Sequence, residues 1–315
     1  MSDYREAIDA VLQEVGRAVV GKEEITEKIM MAILAGGHIL VEDIPGMGKT
    51  TMALAFSKAM GLEEKRVQFT PDVLPADLTG FTLYQKATEQ FVYQPGAVIC
   101  NLLLADEINR TSPKTQSALL EVMEEKHVTV DGVTRKTGNP FIVIATENPA
   151  GSAGTQLLPE SQLDRFMICV SMGYPSVKEE VEIMKRNQSG RSTGPVRRVM
   201  TAELLVRAQE EVKNLFIHDA VYTYIAQLAK ATRGGEHIAM GLSPRGTVAM
   251  AAMAKAGAYM RGREYVIPDD VADVFQCVAG HRVLLSTKAK VGHIRTEDVL
   301  EQILEEVKPP VMKRR

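Results

Sequence analysis

The stretch HILVEDIPGMGKTTMALAFSKAM, residues 38–60, decides the fold. It begins as an apolar run, passes through a turn that contains Gly46 and Gly48, and continues from Lys49 as a helical pattern. This nearly matches the phosphate-loop pattern G-x-x-x-x-G-K-[ST], in which Asp43 here replaces the first glycine. Because that position lies farthest from the terminal phosphates, the stretch indicates a nucleotide site.

A phosphate loop works through backbone N–H groups that surround anionic oxygens, with a helix N-terminus behind them. Gly46 and Gly48 permit this turn because neither residue has a Cβ. Lys49 supplies positive charge for the terminal phosphates, and Thr50 supplies a hydroxyl for Mg²⁺. The competing interpretation is a glycine turn between a strand and a helix, with Lys49 on the surface.

A second segment, NLLLADEINR at residues 101–110, ends an apolar strand in Asp106 and Glu107. A carboxylate at the carboxyl end of a neighbouring strand can hold the Mg²⁺ that bridges the phosphates. A second carboxylate beside it can orient and deprotonate the attacking water. Two acids after an apolar run are a weak signal alone, but after a phosphate loop they indicate hydrolysis of a nucleoside triphosphate.

The first half of the chain alternates short apolar runs with helical patterns, which predicts an α/β fold with a parallel sheet covered by helices. The runs are almost continuously apolar, as expected for strands that are buried on both faces. The predicted strands are residues 38–43, 66–70, 99–105, 141–146 and 166–172.

Two insertions interrupt this alternation, at residues 79–96 and 127–137, and both are predicted to be β-hairpins. In the second, an Asp-Gly pair lies between short valine-rich runs, which is a strong hairpin signal. From residue 176 onward no further strand is predicted, and helical periodicity dominates. We therefore expect two domains: a nucleotide-binding domain at residues 1–175 and a small all-α lid domain at residues 176–315.

Composition excludes several classes of protein. The formal net charge of -3 is not the basic footprint of a general nucleic-acid binder. The three cysteines lie far apart and show no metal-ligand spacing, so we expect reduced thiols and a cytoplasmic location. No run approaches the ~18 apolar residues that a membrane helix needs, so we expect no membrane insertion.

Three later segments add candidates, each with an ordinary alternative. Asn148 follows a strand, where its amide could contact the γ-phosphate, although Asn-Pro is more typical of a turn. Arg165 precedes a strand and could stabilise the transition state from a neighbouring subunit, or form a salt bridge at a helix end. Arg245 lies in the first turn of a helix, where a cation is unfavourable unless an anion offsets it.

In this order the motifs resemble the MoxR family of AAA+ ATPases over nearly the whole chain. The two hairpins resemble the inserts that this clade shares with magnesium-chelatase ATPase subunits and MCM helicases. The motifs that carry the resemblance are EDIPGMGKT as Walker A, LLLADEINRTSPKTQSALLEVMEE (102–125) as Walker B with its helix, IATENP as sensor 1, LPESQLDRF as the arginine-finger segment and GLSPR as sensor 2.

The resemblance implies a role for each site residue, with ATP and ADP as the nucleotides. Lys49 would bind the β- and γ-phosphates, while Thr50 and Asp106 would hold Mg²⁺. Glu107 would activate water. The other positions that it implies are Pro45, Gly46, Met47, Gly48 and Thr51 in the phosphate loop, Val20 and Gly21 beside the adenine, Asn148 and Arg245 at the γ-phosphate, and Arg165 in trans.

An arginine that acts in trans implies a ring, which in this family is a homohexamer. Glu147 departs from the family pattern, because a glutamine usually precedes the sensor asparagine. The family further implies chaperone-like remodelling of client proteins, including assembly and insertion of cofactors or metals. A partner with a von Willebrand factor A domain would be a separate polypeptide.

Two other function classes stay open. One is a nucleic-acid motor, because the hairpins are helicase-like. Against it, the first insert carries only Lys86 as a cation, and the second adds Arg135 and Lys136 but no aromatic residue for stacking on bases. The other is a non-hydrolysing switch, which would need neither Glu107 nor Arg165. Nucleic acid is therefore not expected as a partner.

Overall fold

The structure, a computed structural model, describes residues 2–42, 46–147, 158–188 and 195–311. The chain divides into two compact units. The first comprises Met1–Glu27, His38–Arg165 and Val170–Val206, and the second Lys28–Gly37, Phe166–Cys169 and Arg207–Arg315. The predicted domain boundary between residues 175 and 176 falls inside the first unit, and a division at that position stays a prediction.

The described residues form the following elements. The strands are β1 (Ile39–Glu42), β2 (Glu64–Gln68), β3 (Phe81–Gln85), β4 (Gln90–Gln94), β5 (Leu102–Asp106), β6 (His127–Val130), β7 (Val133–Lys136), β8 (Ile142–Glu147), β9 (Ile168–Val170), β10 (Ile238–Met240) and β11 (Leu284–Leu285).

The α-helices are α1 (Ser2–Ala18), α2 (Glu23–Leu34), α3 (Lys49–Ala59), α4 (Pro75–Thr79), α5 (Pro113–Glu125), α6 (Glu160–Leu163), α7 (Val177–Gln188), α8 (Ala202–Lys213), α9 (Asp219–Ala231), α10 (Pro244–Met260), α11 (Pro268–Ala279), α12 (Thr287–Val291) and α13 (Thr296–Glu306), with a 3-10 turn at Ile108–Arg110.

The main sheet has five strands in the order β2-β5-β8-β1-β9, and β2, β5, β8 and β1 belong to the first unit. The pairs β2–β5, β5–β8 and β1–β8 are parallel. All five residues of β5 are buried, as are the first five of β8, so these central strands are apolar on both faces. The predicted parallel sheet and its five strands are confirmed, with ends that differ by one to three residues.

Because parallel strands end at one edge of a sheet, the residues after β1, β5 and β8 meet there. Glu42 lies opposite Glu147 in the β1–β8 register. Gln68 lies opposite Asp106 in the β2–β5 register. This edge carries the predicted phosphate loop and both predicted carboxylates.

Both predicted hairpins are confirmed, as β3–β4 and β6–β7. The second turns through Asp131 (φ 52°) and Gly132 (φ 75°), and the paired left-handed residues match the twist of a tight hairpin. The hairpins also contact each other, because the guanidinium of Arg135 lies 3.8 Å from the ring centroid of Tyr93.

Helices dominate the second unit, in which α10 packs against α9 and α11. Helices α10 and α11 begin at Pro244 and Pro268, where proline is favoured because it fixes a helical φ and needs no N–H partner at the first position. Among the described residues, no helix has both the length and the apolar composition needed to span a bilayer.

The prediction that no strand follows residue 176 is wrong. Strands β10 and β11 pair antiparallel in the helical second unit. They contain three and two residues, which is too short for an alternating apolar pattern to stand out in the sequence. The described part of the second unit is therefore mainly helical, with a small antiparallel ribbon.

Candidate nucleotide site

The phosphate loop connects the end of β1 to the start of α3. Gly46 has φ 90° and Gly48 has φ 85°, in the left-handed region that favours glycine. A Cβ on Gly46 would meet no heavy atom within 4 Å, so the backbone conformation and not crowding requires glycine there. Asp43 and Pro45 lie outside the described residues. The start of α3 supplies the N–H groups and the positive end of a helix dipole, which suit an anion.

Lys49 is buried, with 8% of its surface exposed, at the first position of α3. Its charge acts on Glu147 at the end of β8. The pKa of Glu147 is raised to about 7, first by burial and then by the charge of Glu42, while the charge of Lys49 opposes both. The residue that departs from the family pattern is therefore only partly ionised at neutral pH, which lessens its repulsion of nearby phosphate.

Asp106 ends β5 with its carboxylate almost fully buried. Its Oδ2 accepts hydrogen bonds from Arg66, with Nε and Nη2 each 2.7 Å away. Its Oδ1 accepts from the hydroxyl of Thr146 at 3.3 Å. A carboxylate here and the hydroxyl of Thr50, the second residue of α3, are the hard oxygen donors that Mg²⁺ prefers, so the donor set fits this ion.

Glu107 follows Asp106 in a left-handed conformation, with φ 57° and ψ 50°. Its N–H donates to the hydroxyl of Thr146 at 2.9 Å. Its Oε2 accepts from Gln68 Nε2 at 2.8 Å and from Arg110 Nη1 at 2.9 Å. Two side chains and one backbone bond thus fix both the direction and the position of this carboxylate.

These contacts connect the phosphate loop to the acids across one strand. Lys49 acts on Glu147, and the adjoining residue Thr146 bonds both Asp106 and Glu107. Such an edge can bind a polyphosphate at the loop, bind a cation beside it and place a general base near both.

A cavity of about 390 Å³ opens beside the loop, within the first unit. Two parts of the predicted site meet in this cavity, because Val20 and residues of the phosphate loop both line it. Gly21 does not line it but lies between two lining residues. The lining residues are Ala18, Val19, Val20, Lys22, Gly46, Met47, Gly48, Thr51, Pro175, Ile183 and Arg186.

Sequence reasoning missed the side of this cavity that α7 provides. Arg186 donates through Nη1 to the carbonyl of Arg17 at 2.8 Å. Lys22 Nζ lies 3.4 Å from the carbonyl oxygens of both Gly173 and Tyr174. The first bond joins the end of α1 to α7, and the Lys22 contacts join the segment after α1 to the segment after β9. No sequence motif marks either pair.

Comparison with known proteins agrees with this geometry. Residues 38–168 match the family described as "ATPase family associated with various cellular activities (AAA)", and residues 230–303 match "AAA lid domain". The chain is 42% identical to YeaC of Bacillus subtilis, an uncharacterized protein, over 99% of this chain and 97% of YeaC. It is 39% identical to the chaperone MoxR1 of Mycobacterium tuberculosis, over 96% of this chain and 82% of MoxR1. The chain belongs to the MoxR family of AAA+ ATPases.

A solved structure agrees with that assignment. It is a proposed ATPase from Cytophaga hutchinsonii, 36% identical, with a TM-score of 0.90 over 98% of this chain and 96% of that one. This MoxR-family chain is therefore an ATPase, with the AAA+ core and helical lid that its motifs predict.

The remaining predicted residues of this MoxR-family chain are distributed over the structure. Arg165 follows α6, half-buried, with Nη2 3.2 Å from Oε2 of Glu124 in the same chain. Arg245 lies exposed in the first turn of α10, in the second unit. Asn148 lies outside the described residues. The roles of these three residues stay predictions.

His38, at the start of the sheet, has a structural environment. Its Nδ1 accepts the N–H of Val143 and its Nε2 donates to the carbonyl of Met123, both at 3.0 Å. Burial lowers the pKa of His38 to about 4, so it is neutral at physiological pH. This histidine belongs to the core.

Proposed function

We propose that this chain is a subunit of a homohexameric ring that hydrolyses ATP with Mg²⁺ and remodels client proteins. The observation that carries the proposal is the shared sheet edge. There Lys49 of the loop acts on Glu147, and the hydroxyl of the adjoining Thr146 bonds the carboxylate of Asp106 and the backbone N–H of Glu107. Family membership supports ATP as the nucleotide.

In this proposal Lys49 binds the β- and γ-phosphates. Thr50 and Asp106 hold Mg²⁺, which neutralises charge on the phosphates when bound. Glu107 orients water and accepts its proton, from a position fixed by Gln68 and Arg110. The loop residues and the cavity beside Val20 bind the rest of ATP.

Three residues complete the proposed reaction. Asn148 senses the γ-phosphate, and Arg245 reaches it from the lid. Arg165 contacts the nucleotide of the neighbouring subunit and stabilises the charge of the transition state. Its guanidinium pairs with Glu124 of the same chain, so this role requires that the guanidinium leave or share that ion pair when a neighbouring subunit binds nucleotide.

The client is a protein whose assembly, or whose cofactor or metal insertion, needs remodelling. The name of the 39%-identical relative, a chaperone, supports this class of activity. A separate protein with a von Willebrand factor A domain is the partner that we propose. Three cysteines without disulfides, Cys100, Cys169 and Cys277, suit a reducing compartment, and we propose the cytoplasm.

One substitution tests the enzymatic part. Glu107→Gln should slow steady-state hydrolysis by roughly 10²–10⁴ while ATP still binds, because it removes the proton acceptor and keeps the side-chain shape. Glu121→Gln, an exposed carboxylate on α5, is the matched control and should hydrolyse like the wild type. Equal rates in Glu107→Gln and wild type would refute the proposed mechanism, as would the absence of Mg²⁺-dependent hydrolysis under every assembly condition.

The same variant tests remodelling. With ATP bound and hydrolysis blocked, Glu107→Gln should retain client proteins that the wild type releases, so affinity capture compared with Glu121→Gln should yield proteins specific to the trap. Identical protein sets from both variants under all nucleotide conditions would count against a client.

One observation favours the nucleic-acid alternative. Tyr84 and Phe91 of the first hairpin are exposed, with ring centroids 5.2 Å apart, and exposed rings can stack on bases. The insert has Lys86 as its single cation, which is little charge for a phosphate backbone. ATPase activity that rises with single-stranded nucleic acid and loses this rise with added salt would favour a motor; an unchanged rate favours protein remodelling.

A further inference from the structure

One buried hydroxyl bonds both the carboxylate of Asp106 and the backbone N–H of Glu107. Thr146 lies in β8 with 1% of its surface exposed. Its Oγ1 accepts the N–H of Glu107 at 2.9 Å and donates to Asp106 Oδ1 at 3.3 Å. Since a hydroxyl donates one hydrogen and accepts others, the same oxygen makes both bonds.

The bond to Glu107 is made at a residue whose backbone conformation is energetically unfavourable. Glu107 has φ 57°, and a residue with a Cβ adopts this conformation only at an energetic cost. It lies between the end of β5 and the 3-10 turn at Ile108–Arg110, so the chain must change direction there. The hydroxyl of Thr146 pairs the N–H at this turn.

We propose that Thr146 is a positioning residue for ATP hydrolysis. It fixes the backbone from which Glu107 projects and orients the oxygen of Asp106 that Arg66 does not contact. The inference rests on the proposed function, because it concerns the water-activating role of Glu107. The sensor 1 motif IATENP includes this threonine, but the resemblance gives a role only to its asparagine, Asn148.

The competing interpretation is that Thr146 only fills space in the sheet. Threonine is a common strand residue, and valine has nearly the same shape without a hydroxyl. If packing is its whole role, valine should serve equally well. If the hydroxyl positions the carboxylates, serine should serve well and valine poorly.

The experiment compares Thr146→Val with Thr146→Ser in the full chain. For Thr146→Val we expect kcat to fall roughly 10- to 100-fold, the scale of one lost hydrogen bond to a buried group, while affinity for a fluorescent ATP analogue stays within about 3-fold. Thr146→Ser should keep most of the wild-type kcat. A merely structural role would not separate kcat from nucleotide affinity in this way.

A second measurement needs neither nucleotide nor metal. Amide hydrogen exchange in the peptide that contains Glu107 should accelerate in Thr146→Val and stay near wild type in Thr146→Ser, because the N–H loses its acceptor only in the first. If Thr146→Val does not fold, Thr146→Ser and Thr146→Ala make the same comparison, since these two also differ by the hydroxyl.

A double variant separates this inference from the proposed function. In a Glu107→Gln background, Thr146→Val should slow the residual rate far less than it slows the wild type, because the residue that it positions is already disabled. Wild-type kcat in Thr146→Val, or a full additive loss in the double variant, would overturn the positioning role. Failure of Glu107→Gln itself to slow hydrolysis would instead overturn the proposed function.

Discussion

Gly21 offers a quantitative test of the nucleotide cavity, because two independent effects oppose a side chain there. Its φ of 69° lies in the left-handed region, which costs a residue with a Cβ about 1–2 kcal/mol. A Cβ would also overlap the carboxylate of Glu179. Gly21→Ala should therefore cost more than backbone strain alone.

The Glu179 carboxylate, which a side chain at position 21 would displace, makes a hydrogen bond at the start of α7. Glu179 Oε2 accepts the N–H of Ser176 at 2.6 Å, and Ser176 Oγ accepts the N–H of Glu179 at 3.4 Å. Helix α7 in turn carries Ile183 and Arg186 into the wall of the cavity. A substitution at Gly21 should therefore weaken ATP binding as well as stability.

The assay is thermal unfolding of Gly21→Ala beside two controls. Strain alone predicts a fall in Tm of roughly 2 to 8 °C for a unit of this size. Gly132→Ala, in the same unit, with φ 75° and open space around its Cβ, measures strain by itself. Gly16→Ala, inside α1 with open space and no positive φ, should be neutral or stabilising by about 0.5–1 kcal/mol.

The decisive comparison repeats Gly21→Ala in a Glu179→Ala variant. In the Glu179→Ala variant, Gly21→Ala should lose its extra cost and match Gly132→Ala, since no carboxylate remains to displace. The proposed overlap with Glu179 is refuted if Gly21→Ala behaves like Gly132→Ala in the presence of Glu179, or if its extra cost persists when Glu179 is absent. A result equal to Gly16→Ala would refute the left-handed conformation itself.

Two further predictions concern the ring and pH. Arg165→Ala and Glu107→Gln should each be nearly inactive, yet mixing equal amounts should restore about one quarter of the wild-type rate, because one in four interfaces pairs an intact site with an intact arginine; no recovery would contradict a role in trans. Because the pKa of Glu147 is raised to about 7, its stabilising contribution is complete below pH 4.5 and is lost as pH rises through 7. ATP affinity should fall over the same pH range. Glu147→Gln should flatten the pH profiles of both the free energy of unfolding and the ATP affinity. Titrations of unfolding and of ATP binding in which Glu147→Gln leaves both profiles unchanged would contradict this.

The sheet and the phosphate loop could be predicted because local sequence determines them. Buried strands of an α/β sheet are apolar throughout, and Asp131-Gly132 specifies a tight hairpin turn by its backbone preference. The loop depends on Gly46 and Gly48 at left-handed positions, which a pattern of glycines can reveal. Each of these features is contained in a few consecutive residues.

The partners of the carboxylates could not be predicted, because they come from other strands. Arg66 and Gln68 lie about forty residues before the acids, and their contacts require that β2 pair with β5. Periodicity identifies strands without giving their order. The same limitation hid Ile183 and Arg186, which reach the cavity from a helix with no motif.

Thr146 shows most clearly what the structure adds to the sequence. It lies in the sensor 1 motif, but strand preference alone explains a β-branched residue there, and the sequence indicates a role only for Asn148. The register of β8 beside β5 places its hydroxyl against the turn at Glu107. The left-handed conformation of that glutamate has no sequence signature either, since glycine or asparagine would be the usual residue. The direction of the candidate base is thus set by strand pairing, and a change in β8 should alter it without touching the Walker B sequence.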